Sequence, residues 1–274
     1  MQAEHRCRSI PDVDTGAVAA AIPLGFAIGL VVGSVGGGGA LLALPVLVYV
    51  LGQGVGPAST ASLVVVAIAA AVGGGALALR GHVCWRIALL FSFPAATGSV
   101  IGTIANAAVS ARALILAFVP VMLIAAAATW RRAAATHSDE PGRCPEPRAL
   151  RILVAGLGVG ALTGFFGVGG GFMIVPVLTL WLAFSFRRAV ATSLVIITLT
   201  GLAALASHLA AGAAVAVAVT LALSASTASG ALVSSIYAQR VPQAVLGRAF
   251  ALIVALLALY LLADTLLLGG PPHS

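Results

Sequence analysis

Apolar residues in this chain do not alternate with polar ones. They come in long blocks divided by short polar breaks. The blocks run at roughly 17–35, 40–52, 57–79, 86–107 and 112–130, then again at roughly 150–166, 172–184, 189–211, 213–236 and 246–268. At about 1.5 Å of rise per residue, a block near 20 residues makes a helix able to cross the ~30 Å hydrocarbon core of a bilayer. The blocks at 40–52 and 172–184 are too short for that crossing.

The two sets are copies of one another. Residues 25–47, GFAIGLVVGSVGGGGALLALPVL, align without a gap on residues 156–178, GLGVGALTGFFGVGGGFMIVPVL, and nine of the 23 positions are identical. Six of these are glycines, and the other three are Pro45-Val46-Leu47 against Pro176-Val177-Leu178. At the same offset Ala58, Ser62, Leu63 and Val64 match Ala189, Ser193, Leu194 and Val195, and later matches run from Gly98/Gly230 to Phe118/Phe250. Each copy opens on a helix with glycine every fourth residue, a face that lets a second backbone approach. A glycine run follows: Gly36, Gly37, Gly38 and Gly39 in the first copy, and Gly167, Gly169, Gly170 and Gly171 in the second. Such runs form helix poorly, because glycine loses the most backbone freedom on ordering. A helix opened at membrane depth strands N–H and C=O groups, which only protein or a wet cavity can satisfy. Matched breaks of this kind in two halves point to a transporter's binding site.

This pattern predicts an all-α polytopic membrane protein of two repeats, with 8–10 membrane helices and a glycine-broken or re-entrant hairpin opening each half. Its parts are a polar tail (1–16), a first repeat (17–130), a cytoplasmic linker (131–149), a second repeat (150–268) and a short tail (269–274). The first long block, repeated later in the chain, is not read as a cleaved signal peptide. If each broken pair is one pass, there are eight helices and the halves are parallel. If each pair enters and returns, there are ten segments and the halves are inverted. The excess of positive charge on cytoplasmic loops favours inversion. Inverted halves put Arg80, Arg86, Arg131, Arg132, Arg143, Arg148, Arg151, Arg187, Arg188, Arg240 and Arg248 inside and only Arg6, Arg8 and Arg112 outside. Parallel halves divide them nine to five.

Composition sharpens this picture. The chain is 61% hydrophobic and 8% charged, with a mean hydropathy of +1.15, which excludes an ordinary soluble core. All 14 basic residues are arginine and lie between apolar blocks, so the net charge of +7 is no nucleic-acid footprint. Cys7, Cys84 and Cys144 are scattered without a CxxC, which argues against a disulfide framework or a zinc site. No cofactor or metal is implied. No acid lies mid-membrane, since six of the seven are in the tail or linker and Asp264 is near the end of the last block. A carboxylate proton relay is therefore not expected.

With the motifs GSVGGGGALLALPVL and GFFGVGGGFMIVPVL, each followed by ASTASL or AVATSL, and the basic central loop in view, the chain resembles the sulfite exporter TauE/SafE family over about residues 17–268. The resemblance implies a multi-pass transporter of the bacterial-type inner or plasma membrane that exports small sulfur-containing anions such as sulfite or sulfonates.

The candidate chemistry is anion capture without a fixed charge. Backbone N–H groups at a break donate to an anion. The candidate substrate-binding set is Gly36–Gly39, Pro45, Ser62, Gly167, Gly169, Gly170, Gly171, Pro176, Thr192 and Ser193, with Ser62 and Ser193 completing a pseudo-symmetric shell. Ser34, Ser59, Thr60, Thr163, Ser207, Ser234 and Ser235 are further hydroxyls of note in the apolar blocks. His208 is a candidate proton carrier, set against an end-of-helix histidine bonded to backbone or water. Asn106 is a candidate polar contact, set against helix glue. The expected partners are a small anionic substrate and the lipid bilayer, and an enzyme is not expected. The other readings are a non-transporting membrane scaffold or assembly factor and, further off, an intramembrane hydrolase built on a serine and His208. No Gly-Lys-Ser/Thr follows the first glycine run, so it is not a phosphate loop.

Overall fold

A backbone with no water to bond to must satisfy itself, and here it does so as helix. The computed structural model describes residues 15–37, 43, 46–47, 55–106, 111–134, 144–145, 148–166, 171–210 and 217–267. Among the described residues there are nine α-helices and no strand. They are α1 (Thr15–Val35), α2 (Val55–Ala78), α3 (Trp85–Asn106), α4 (Ala111–Ala134), α5 (Ala149–Phe166), α6 (Gly171–Leu180), α7 (Phe186–Ala210), α8 (Val217–Tyr237) and α9 (Gln243–Leu267). Six of them, α2, α3, α5, α7, α8 and α9, hold stretches long and apolar enough to cross a membrane. Helices thus stand where the apolar blocks predict them, apart from block 40–52, which lies almost wholly outside the described residues.

Equivalent helices of the two halves trade partners. The most extensive pairings join α1 to α8 and α5 to α3, while α4 packs on α9. The four-residue glycine spacing makes both trades. Gly25, Gly29 and Gly33 face Leu223, Thr227 and Ala231 of α8 in turn, and Gly156, Gly160 and Gly164 face Phe91, Ala95 and Ser99 of α3. A Cβ on Gly29 would come within 2.8 Å of the Ala231 nitrogen, so only glycine admits the neighbouring backbone. Numbers rise together across both pairs, so each pair is parallel. The crossing of α2 and α7 has the opposite sense: Gly74 meets Leu194 and Gly201 meets Ala67. Phe91, Met122, Leu194, Ile196 and Phe250 are fully buried, while Phe93, Ile104, Ile124 and Leu259 lie exposed on the outer surface, as lipid-facing residues should.

These directions gather the arginines at one end. Arg80 lies in the turn after α2, Arg86 near the start of α3 and Arg131 near the end of α4. Arg148 and Arg151 lie at the start of α5, Arg187 and Arg188 at the start of α7, Arg240 after α8 and Arg248 near the start of α9. Cross-contacts tie these termini together. The Arg248 guanidinium stacks over Trp130 at 5.9 Å, and Arg187 donates to the Val241 carbonyl at 3.4 Å.

The cysteine reading is corrected here. Cys84, just before α3, is disulfide-bonded to Cys144 of the linker, with Cα atoms 5.9 Å apart. The two are 60 residues apart in sequence, and a single pair carries no motif, so spacing could not reveal it. The fold makes the bond by bringing Cys144 to the α2–α3 turn, where an Arg188 N–H reaches the Cys144 sulfur at 3.4 Å. Purified protein kept from reductant should therefore take up alkylating reagent at Cys84 and Cys144 only after reduction, as peptide masses would report. Labelling of both before reduction would refute the bond.

Candidate functional site

Helix α1 ends where its glycines begin. The Gly36 N–H still bonds the Val32 carbonyl at 2.8 Å, but Gly36 itself has φ +81°, a left-handed turn that strains any side chain. The chain leaves the helix there. In the second half α5 ends at Phe166 and α6 starts at Gly171. Helix α6 has 10 residues, about 15 Å of helix. A five-residue connector joins its far end to α7 at the arginine-rich end. Too short to span ~30 Å, α6 starts inside the protein and returns to the side from which α5 set out.

The two interruptions meet. A Cβ added to Gly37 would overlap the backbone of Gly171, and one added to Gly171 would lie 2.7 Å from the Gly37 Cα. The contact joins the two broken segments through positions that are not counterparts, because Gly37 corresponds to Val168 and Gly171 to Ala40. Around it, a Cβ on Gly36 would come within 2.7 Å of the Ser193 Oγ and 2.9 Å of Val175, both in the second half. The Ser193 hydroxyl donates to the Val190 carbonyl at 2.8 Å. Thr192 accepts from the Cys84 N–H at 3.3 Å, which ties the disulfide turn to the wall of the break. Thr192, Ser193 and Pro176 are buried. Gly36, Gly37, Gly171, Pro176, Thr192 and Ser193 thus belong to one region.

Ser62 stands elsewhere. Gly74 is level with Leu194 across the antiparallel α2–α7 pair, and Ser62 is twelve residues further along α2, about 18 Å away. Ser62 and Ser193 therefore do not share one shell. Gly38, Gly39, Pro45, Gly167, Gly169 and Gly170 lie outside the described residues, as do the side chains of Asn106 and His208. No group of three or more metal-ligating side chains occurs among the described residues.

One residue beside the break and two nearer the start of α8 escaped the sequence reading. Next to the break, a small pocket, partly open to the outside, is lined by Gly33, Ser34, Val190, Ser235 and Arg187 among others. Arg187 read from sequence only as a topology signal. Thr220 and Ser224, four apart on α8, are each 3% exposed, yet neither hydroxyl has a hydrogen-bond partner among the described residues. The first-half counterpart of Ser224, Ser92, bonds the Ala88 carbonyl at 2.8 Å in the usual back-bonded way. Their i, i+4 spacing was visible, but their lack of partners was not.

The family model for the sulfite exporter TauE/SafE matches residues 21–261. The chain belongs to this family. Probable membrane transporter proteins from two strains of Xylella fastidiosa are 33% and 34% identical over 65% of this chain and 67% of their own. A probable membrane transporter protein of Methanocaldococcus jannaschii is 28% identical over 69% of this chain and 72% of its own. No solved structure matches. This TauE/SafE member is a multi-pass membrane transporter of the plasma membrane, working in the bilayer on a small substrate.

Proposed function

We propose that the protein exports a small organic or inorganic anion, such as sulfite, a sulfonate or a related sulfur compound, by alternating access between two inverted repeats. The observation that carries this reading is the backbone contact of Gly37 with Gly171, beside Gly36 and Ser193. Glycine backbone from both halves, with its amide groups, comes close there. An anion can be held by such amides without a buried countercharge.

Inversion is supported by the antiparallel crossing of α2 with its counterpart α7. It is supported too by the gathering of arginines at one end, which the positive-inside rule assigns to the cytoplasm. With that end in the cytoplasm, the linker faces a reducing pool that keeps Cys84 and Cys144 as thiols in the cell. Two states are suggested by a departure from symmetry: α8 lies along α2 more extensively than its counterpart α3 lies along α7. Exchanging these two contacts would open one side and close the other. The unpartnered Thr220 and Ser224 hydroxyls offer further donors along α8.

Counterflow in proteoliposomes, with sulfite, thiosulfate, sulfoacetate, taurine and short carboxylates, tests the reading. At least one anion should exchange in a protein-dependent way. If correctly inserted protein moves none of them, the scaffold reading takes its place.

A further inference from the structure

Cys84 and Cys144 stand where the two halves touch. Cys84 closes the turn before α3, and its N–H donates to the Thr192 hydroxyl of α7, in the second half, at 3.3 Å. Arg188, four residues before Thr192, lies on the same face of α7. Its guanidinium is 3.8 Å from the Cys84 sulfur and 3.4 Å from the Cys144 sulfur. Ser193 follows Thr192 directly and sits beside Gly36. One cluster thus joins the start of α3, Cys144 and the turn of α7 next to the glycine contact.

We propose that Cys84 and Cys144 are an oxidation site for a peroxide at the cytoplasmic end, and that the bond they form holds the protein in one state. The effect on transport rests on the alternating-access reading; the chemistry of the pair does not. In a reducing pool both residues start as thiols. Cys144 is exposed and Cys84 is buried, so an oxidant meets Cys144 first. Its thiolate, the nucleophilic form that a neighbouring guanidinium favours, attacks one peroxide oxygen. The O–O bond breaks, hydroxide leaves, and Cys144 becomes a sulfenic acid. The Cys84 thiolate then attacks the Cys144 sulfur and expels the sulfenic oxygen as a second hydroxide. The two thiol protons turn both hydroxides into water, so the pair loses two electrons and the peroxide gains them. A dithiol reverses the bond by exchange. Alternating access requires α3 to shift along α7, since theirs is one of the two contacts to be exchanged. The bond fastens Cys144 to the start of α3, against Arg188 and Thr192 of α7. A shift of α3 must then drag Cys144 past Arg188, so oxidation stalls the cycle and reduction frees it.

The experiment exposes reduced full-length protein carrying Cys7→Ser, in proteoliposomes, to hydrogen peroxide, which is then removed. Peptide masses should show Cys84 joined to Cys144 after peroxide and free after dithiothreitol. With Cys84→Ser added, Cys144 has no partner and should go on to sulfinic acid. Counterflow is followed with sulfoacetate and taurine, neither of which cleaves disulfides as sulfite does. Oxidation should cut it about tenfold or more, because a carrier held in one state cannot cycle, and dithiothreitol should restore it. With Cys144→Ser added, at an exposed position, counterflow should be the same before and after peroxide. Amide hydrogen exchange over residues 186–193 should slow when the bond forms and recover on reduction, a readout that needs no transported anion. The proposal is overturned if the bond does not form, or if exchange over 186–193 is the same with and without it. It is overturned too if the bond leaves flux of a carried probe unchanged, or if peroxide inhibits the Cys144→Ser protein equally; the carrier reading then still stands. A bond that slows exchange, with no flux of either probe in any state, keeps the site and counts against the carrier reading.

Discussion

Gly37→Leu is expected to abolish transport, reducing flux in proteoliposomes to the level of empty vesicles. No rotamer helps, because the obstruction begins at the Cβ, which would overlap the Gly171 backbone. Either the two interrupted segments separate or the substitution is not accommodated. Overpacking of this kind costs about 3 kcal/mol or more. Gly171→Ala repeats the test from the other side with a single methyl group, 2.7 Å from the Gly37 Cα, and should lower flux by a large factor while the protein still inserts. Wild-type flux in both variants would show that the contact has no part in transport.

Gly160→Leu should break the assembly of the halves. The residue lies against Ala95, where a Cβ would come within 2.7 Å of the carbonyl carbon and Cα. The α3–α5 pairing is among the most extensive in the fold, and in lipid it is held by close packing rather than by the hydrophobic effect. Thermal unfolding in detergent should fall by many degrees, or the protein should fail to accumulate. Gly158, two residues away on the same helix, has nothing within 4 Å of an added Cβ, so Gly158→Leu should leave the unfolding temperature within a few degrees. Equal losses at both positions would mean that leucine in this helix, and not the crossing, is the cause.

These two tests show what could be read from the chain. Spacing of four between Gly25, Gly29 and Gly33, and again between Gly156, Gly160 and Gly164, announced a face for close backbone approach, and those faces are where the halves trade partners. Block boundaries were legible because hydrocarbon demands long apolar runs, so α3 and α9 begin and end within a few residues of expectation. The glycine run announced the end of α1 at Val35, while the left-handed turn at Gly36 came only from the fold. Pairing across space was not legible. Symmetry in sequence suggested that Ser62 and Ser193 share a shell, yet antiparallel crossing of α2 and α7 holds them about 18 Å apart. Cys84 and Cys144, 60 residues apart, meet only in the folded chain. Arg187 marks topology and also lines the pocket beside the break, which only the fold reveals.

The most direct test of the central claim places a reporter at the break. Ser193 is fully buried beside Gly36, and cysteine is close to serine in size. With Cys7, Cys84 and Cys144 replaced by serine, the Ser193→Cys protein is treated in proteoliposomes with a small, anionic, sulfonate-bearing methanethiosulfonate reagent. If an anion passes where Gly36, Gly37 and Gly171 meet, the thiol reacts as the protein cycles, and a saturating transported anion slows that reaction about tenfold or more, as occupancy of a shared site requires. A thiol that never reacts, or one whose rate the transported anion leaves unchanged, would contradict the claim.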